Sequence, residues 1–155
     1  MDGLVVHGTC VALGEAAALL RGPSGAGKSD LALRFLFLPK YALGAEPRLV
    51  ADDGARLRRT DAGIRATCPE TIKGKMEVRS LGIADLPPSL IAAEARLTLL
   101  VDLVSRCDLP RFPDAVEWED MLGVPIRRIA LDPFESSAPM KLALALQGRF
   151  ESASG

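Results

Sequence analysis

Apolar residues along the chain fall into many short runs, and only two of these have helical length. Residues 4–13, LVVHGTCVAL, read as an extended segment interrupted at Gly8, and Gly14 turns the chain into a second apolar run, AAALL at 16–20. SDLALRFLFL (29–38) has the spacing of an apolar helix and is halted before Pro39. LPKYALGAEP (38–47) reads as a connection. RLVADDGARLRRTDAGIRATCP then gives an apolar strand, two aspartates, a Gly turn, an alternating strand and a further turn at DAG. From residue 72, IKGKMEVRSLGIADLPP starts as a basic loop and carries a short apolar stretch to the double proline. RLTLLVDLV (96–104) predicts a buried strand, CDLPRFPDAVEWEDML is broken by prolines, and PIRRIALDPF predicts another strand. APMKLALALQGRF (138–150) predicts a C-terminal helix with Pro139 near its start. A fully alternating βαβ chain would show more helical runs, so the expectation is an α/β fold with a mixed β-sheet flanked by a few helices. Residues 1–150 are expected to form one domain and 151–155, ESASG, a disordered tail.

Composition narrows the function. The chain of 155 residues is 48% hydrophobic and 25% charged, which is enough apolar material for a core of its own. A formal net charge of -1 and 5% aromatic residues argue against a nucleic-acid footprint. No run has the length of a membrane span, and the N-terminus lacks a basic-then-apolar signal segment, so a soluble cytoplasmic protein is expected. Cys10, Cys68 and Cys107 are odd in number and form no C-x-x-C pair, which speaks against a disulfide framework or a zinc site. Cys10 is expected as core filler.

The chemistry begins between the AAALL strand and the first helix. LLRGPSGAGKSDLAL (19–33) contains G-x-x-x-x-G-K-[ST] over Gly22, Pro23, Ser24, Gly25, Ala26, Gly27, Lys28 and Ser29. A chain of this length meets that pattern by chance on the order of once in a hundred, and the strand–loop–helix order excludes most chance matches. The glycines let successive N–H groups converge on phosphate oxygens, and the helix adds its own free N–H groups and positive dipole end. Lys28 brings a positive charge to the terminal phosphates, and Ser29 a hydroxyl for Mg²⁺.

A phosphate loop specifies a nucleotide but not a reaction. The base-reading pattern N/T-K-x-D is absent, which argues against a GTPase. Two strands end in aspartate, at Asp52 and Asp53 and at Asp102. Adjacent Asp52 and Asp53 cannot share a face of a continuing strand, so one can enter a site while the other serves structure. A carboxylate near the γ-phosphate can accept a proton from an attacking hydroxyl; Asp102 is the alternative position for a carboxylate behind Mg²⁺.

His7-Gly8, GPSGAGKSD, RLVADD and MEVRSLGI (76–83), in that order, resemble the catalytic C-terminal domain of bacterial HPr kinase/phosphorylase. The resemblance is close over the first two thirds of the chain. It implies an ATP- and Mg²⁺-dependent P-loop kinase that phosphorylates a serine of the phosphocarrier protein HPr, in regulation of carbon metabolism. It also implies a phosphorolytic reversal with pyrophosphate or inorganic phosphate as substrates, expected to be weak here because the segment that serves it has no match. By position it assigns Lys28 to the nucleotide phosphates, Ser29 and Glu77 to Mg²⁺, Asp53 to proton transfer and His7 to its neighbourhood. It also implies a downstream catalytic arginine, matched to Arg111 with Arg106 as rival, and a homo-oligomer, typically a hexamer. With His7 almost at the start, the chain is expected to be a short form without the family's N-terminal domain.

The sequence departs from the family pattern in three places. Ser80 stands where the family usually has Gly, several extra residues lie around FLPKYALGAEP, and LDPFESSAPMKLAL replaces a Pro/Arg/Gly-rich segment, leaving Lys141 as the nearby cation. Two other readings keep the P-loop: a small-molecule kinase on the same scaffold, and an ATP-sensing module without transfer.

Overall fold

The computed structural model describes residues 3–69, 72–113 and 115–151. All but Glu151 of the tail expected at 151–155 lies outside them. The strands are β1 (Leu4–Val6), β2 (Thr9–Leu13), β3 (Ala16–Arg21), β4 (Pro47–Ala51), β5 (Ala55–Thr60), β6 (Gly63–Thr67), β7 (Lys75–Val78), β8 (Gly82–Asp85), β9 (Glu94–Leu103), β10 (Glu117–Met121) and β11 (Val124–Leu131), with helices α1 (Lys28–Leu36) and α2 (Ala138–Leu146). The main sheet runs β1-β5-β6-β9-β3-β2-β4, with β11 also on β9 and β10 on β11; β7 and β8 form a separate hairpin. β3 and β11 are parallel to β9 and the other pairs are antiparallel. The mixed α/β architecture expected from the sequence is therefore present.

Two short segments differ from the sequence expectation. The stretch read as loop-like from residue 72 holds the β7–β8 hairpin, and the proline-broken stretch holds β10. β10 has no apolar alternation to betray it, and in the hairpin the alternation is confined to Met76 and Val78. Among the described residues, no helix is long and apolar enough to cross a membrane.

Burial follows strand alternation on both faces of the sheet. Val11, Leu13, Ala18, Leu20, Leu99 and Val101 face the helices, where Leu31, Phe35, Leu142 and Leu146 meet them. Cys10, Ala12, Ala17, Leu19, Leu97 and Leu100 face the inside of the curled sheet with Leu57 and Ile64. Burial pushes the Cys10 thiol up to about 12, in keeping with a packing role. In α1, Leu31, Ala32, Phe35 and Leu36 form the inward stripe, and the helix gives way at Phe37, two residues before Pro39.

The segments 4–13 and 47–60 form one antiparallel ribbon that bends. Leu4 faces Leu57 in β1–β5 and Cys10 faces Ala51 in β2–β4. The same register carried across the bend sets Thr9 opposite Asp52 and His7 opposite Gly54. Gly8 makes the bend possible: its φ is +152°, and a Cβ there would lie 2.7 Å from the Leu20 carbonyl oxygen and 2.9 Å from Leu19 Cδ1.

A charged cluster joins β3, β9, β10 and β11 where the P-loop begins. Arg21 Nε donates to Asp102 Oδ1 at 2.9 Å, and its Nη1 donates to Glu119 Oε2 at 2.6 Å. Arg128 adds a second cation, donating to Glu117 at 2.7 Å and standing 3.6 Å from Glu119. The hydrogen bond from Arg21 holds the Glu119 carboxyl below the usual glutamate range.

Two outcomes follow from these contacts. Gly8→Ala should cost roughly 2–4 kcal/mol of unfolding free energy in denaturant titration, because strain and a backbone clash coincide; an unchanged midpoint would remove the argument. Arg21→Gln should cost roughly 1–3 kcal/mol at neutral pH. Since the folded-state pKa of Glu119 is depressed, its contribution is complete above about pH 4.3 and disappears as pH falls through the lower folded value. The gap between wild type and Arg21→Gln should therefore narrow below about pH 4; a constant gap down to pH 3 would contradict the assignment.

Candidate active site

The loop from Gly22 to Gly27 joins β3 to α1 and closes on itself through Ala26 N donating to Pro23 O at 3.0 Å. Gly27, at φ +99°, is the N-cap of α1 and supplies no side-chain cap, so the first-turn N–H groups stay open to an anion. Lys28 is buried, and its Nζ donates to Gly22 O at 2.6 Å and Pro23 O at 3.1 Å, arching over the loop.

The two adjacent aspartates are separated by their surroundings. Asp52 is buried; its Oδ1 accepts from Ser29 Oγ at 2.8 Å and Thr9 Oγ1 at 3.1 Å, and its Oδ2 from the Glu77 N–H at 3.1 Å. Asp53 turns the opposite way, with φ +62° and a side chain 74% exposed. Its Oδ1 lies 3.6 Å from His7 Nδ1, across the bend of the ribbon. One aspartate is thus enclosed and bonded to Ser29 of the phosphate loop, and the other is paired with an exposed imidazole.

Met76 of β7 is buried against α1, which brings Glu77 to Asp52 through its backbone while its side chain stays exposed. The hairpin turn places Ser80 at φ +70°, with Leu81 N donating to Val78 O at 3.0 Å. A glycine would adopt that conformation without strain, which explains the usual residue of the resembled family at this position.

The remaining expected residues lie outside this cluster. Asp102 is engaged by Arg21, and no hydrogen bond joins it to Ser29. Arg111 is exposed with its guanidinium 5.6 Å from the Phe112 ring centre, and neither it nor Arg106 bonds to the loop or the aspartates by a side-chain hydrogen bond or ion pair. Lys141 Nζ donates to Glu135 at 3.1 Å, so its charge already has a partner.

Two features were invisible in the sequence. Thr9 sits in an apolar run, and only the ribbon register reveals that it faces Asp52. Pro133 and Phe134 lie against Gly27, where an added Cβ would come within 3.1 Å of both. Arg34 ties that segment to α1 by donating to the Pro133 and Glu135 carbonyls while it pairs with Asp30. An exposed phenyl ring is thereby held at the edge of the phosphate loop.

The family model described as HPr Serine kinase C-terminal domain matches residues 2–141. The HPr kinase/phosphorylase of Bordetella pertussis is 35% identical over 134 residues, which cover 81% of this chain and 41% of that protein. The HPr kinase/phosphorylase of Leptothrix cholodnii is 33% identical over 134 residues, covering 81% and 39%. The chain thus spans about two fifths of the length of the curated relatives it matches. Among solved structures, the Hpr(Ser) kinase/phosphatase from Coxiella burnetii superposes with a TM-score of 0.77 at 21% identity, over 94% of this chain and 90% of that one, and so shares the fold. With its P-loop, paired aspartates and β7–β8 hairpin, the chain belongs to the HPr Serine kinase C-terminal domain family.

Proposed function

We propose that the chain transfers the γ-phosphoryl group of ATP to a serine hydroxyl of a protein acceptor, the phosphocarrier protein HPr, in the cytoplasm and as a homo-oligomer. The observation that carries this reading is the division of labour between Asp52, bonded to Ser29 behind the loop, and Asp53, open to solvent beside His7. An ATP sensor would need only the first. The relatives, HPr kinase/phosphorylases by name, support the acceptor.

Lys28 and the N–H groups at the start of α1 bind and orient the phosphates, offsetting charge on the transferring group. Ser29 and Asp52 offer hard oxygens 2.8 Å apart, and Glu77 a further carboxylate from the hairpin, a donor set that suits Mg²⁺, which retains waters and phosphate oxygens in its shell. Bound there, Mg²⁺ would neutralise phosphate charge. Asp53 accepts the proton of the incoming hydroxyl, and His7 orients its carboxylate. Arg111, on the loop after β9 and outside the cluster, would have to move toward the nucleotide to offset charge on the transferring group.

The reading gives two sets of expected outcomes. Mg²⁺-ATP at a hundredfold excess over Kd should stabilise the fold by ~2.7 kcal/mol, a thermal shift of a few degrees. Lys28→Ala should lower transfer roughly 10²–10³-fold. No thermal shift with ATP, ADP or pyrophosphate at millimolar level would end the phosphate-binding claim.

Asp53→Asn should leave ATP affinity within a few-fold and lower transfer to HPr by about 10² or more, measured with γ-labelled ATP. Asp52→Asn should instead weaken Mg²⁺-ATP binding, because it loosens Ser29. If Asp102→Asn abolishes transfer while Asp53→Asn does not, the roles are wrongly assigned.

A further inference from the structure

Three arginines stand side by side across three adjacent strands. Arg58 of β5 faces Arg65 of β6, and Arg65 faces Arg96 of β9. Direct cross-strand partners project to the same face, so the row spans ~10 Å at ordinary strand spacing. Arg56, two residues before Arg58, adds a fourth cation to that face. None of the four side chains makes a hydrogen bond or ion pair with a described residue. Glu94 and Asp120 lie on the same face by register, and neither pairs with an arginine. Like charges directly opposite one another destabilise a sheet, so this row costs stability that nothing else in the described chain recovers.

The row continues into a cavity of about 200 Å³ where β9 changes partner from β6 to β11. Arg96, Arg127, Thr98 and Trp118 are among its lining residues. The Arg127 guanidinium is stacked 4.3 Å from the centre of the Phe150 ring, and its buried Nε has no hydrogen-bond partner. Trp118, the one tryptophan of the chain, is 60% exposed. Arg96 pairs with Ala16 at the start of β3, whereas the P-loop follows Arg21 at its end, ~17 Å of strand away. This surface is separate from the candidate active site.

We infer that this arginine face, with Trp118 and its cavity, docks an acidic polypeptide segment. The cations are spread too widely for one small anion to meet them together, while several carboxylates along an extended chain come within reach of the long guanidinium arms. Arginine and tryptophan are the residues that dominate protein-interface energetics. The near-neutral net charge of the chain as a whole speaks against nucleic acid as the occupant.

Titration of the intact protein with a ten-residue polyglutamate peptide tests the inference, read by the fluorescence of Trp118. Binding should shift the emission, weaken as NaCl rises, and fall at least tenfold in Arg58→Gln/Arg65→Gln/Arg96→Gln, while the thermal shift given by Mg²⁺-ATP stays unchanged. Arg65→Gln alone should raise the melting temperature by about 1–4 °C, because it removes two like-charge contacts. The inference is overturned if the triple variant binds the peptide as wild type does, or if Arg65→Gln lowers the melting temperature. Tighter binding of a ten-nucleotide single-stranded DNA than of the peptide would also overturn it, as would dissociation of an oligomer by the triple variant.

Discussion

The Asp52 carboxylate fixes the geometry of everything around the phosphate loop. A buried carboxylate is costly unless its lone pairs are filled. Here they are filled by two hydroxyls and a backbone N–H drawn from β2, α1 and β7. The requirement works in both directions. It gives Asp52 its partners, and it locks the β7–β8 hairpin, which shares no strand pairing with the main sheet, onto the helix that carries Lys28 and Ser29. Removing one hydroxyl would leave the carboxylate underbonded, while the Glu77 N–H, with Met76 and Val78 packing, holds the hairpin on that side.

Asp53 bears the consequence. With Asp52 committed inward and Gly54 following, the chain passes through the left-handed region at residue 53 rather than at the glycine. Aspartate tolerates that region better than most residues, yet it is still of order 1 kcal/mol less favourable there than glycine. A side chain retained at such a position, when glycine would fit without strain, points to a use for the carboxylate itself. The conformation aims it at His7 and at solvent, where a macromolecular hydroxyl can reach it.

The phosphate loop, its flanking strand and helix, and the long β9 strand were legible because apolar runs and glycine spacing encode them directly. Residues of the site that come from distant strands were less so. The choice between Asp52 and Asp53 for the enclosed position depends on a register set by Gly8, and no local pattern contains it. β10 was missed because its residues answer to charge across the strand: Glu117 and Glu119 meet Arg128 and Arg21, and an acid-rich run bordered by prolines reads as loop. The hairpin was legible only in the alternation of Met76, Glu77 and Val78, for a related reason. Leu81 and Ile83 are exposed, and one buried residue, Met76, is too little to mark a strand. The arginine row was present in the sequence as scattered cations, and only pairing brings them together.

β9 carries both ends of this molecule, and one irregularity lets it do so. Its pairing with β3 slips at Thr98, so that Leu97 faces Ala17 and Leu99 faces Ala18. In an unbroken strand Arg96 would share a face with Leu100, inside the curled sheet, and Leu97 would share one with Leu99, under the helices. The slip reverses the alternation for the first part of the strand. Leu97 enters the inner core and Arg96 emerges beside Arg65, while Asp102 at the other end stays in place for Arg21. The same slip marks where β6 gives way to β11, which opens the cavity lined by Arg96 and Trp118. An uninterrupted strand would bury an unpaired guanidinium, a cost of several kcal/mol, and so the bulge is what makes a supported phosphate loop and an exposed arginine face compatible on one strand.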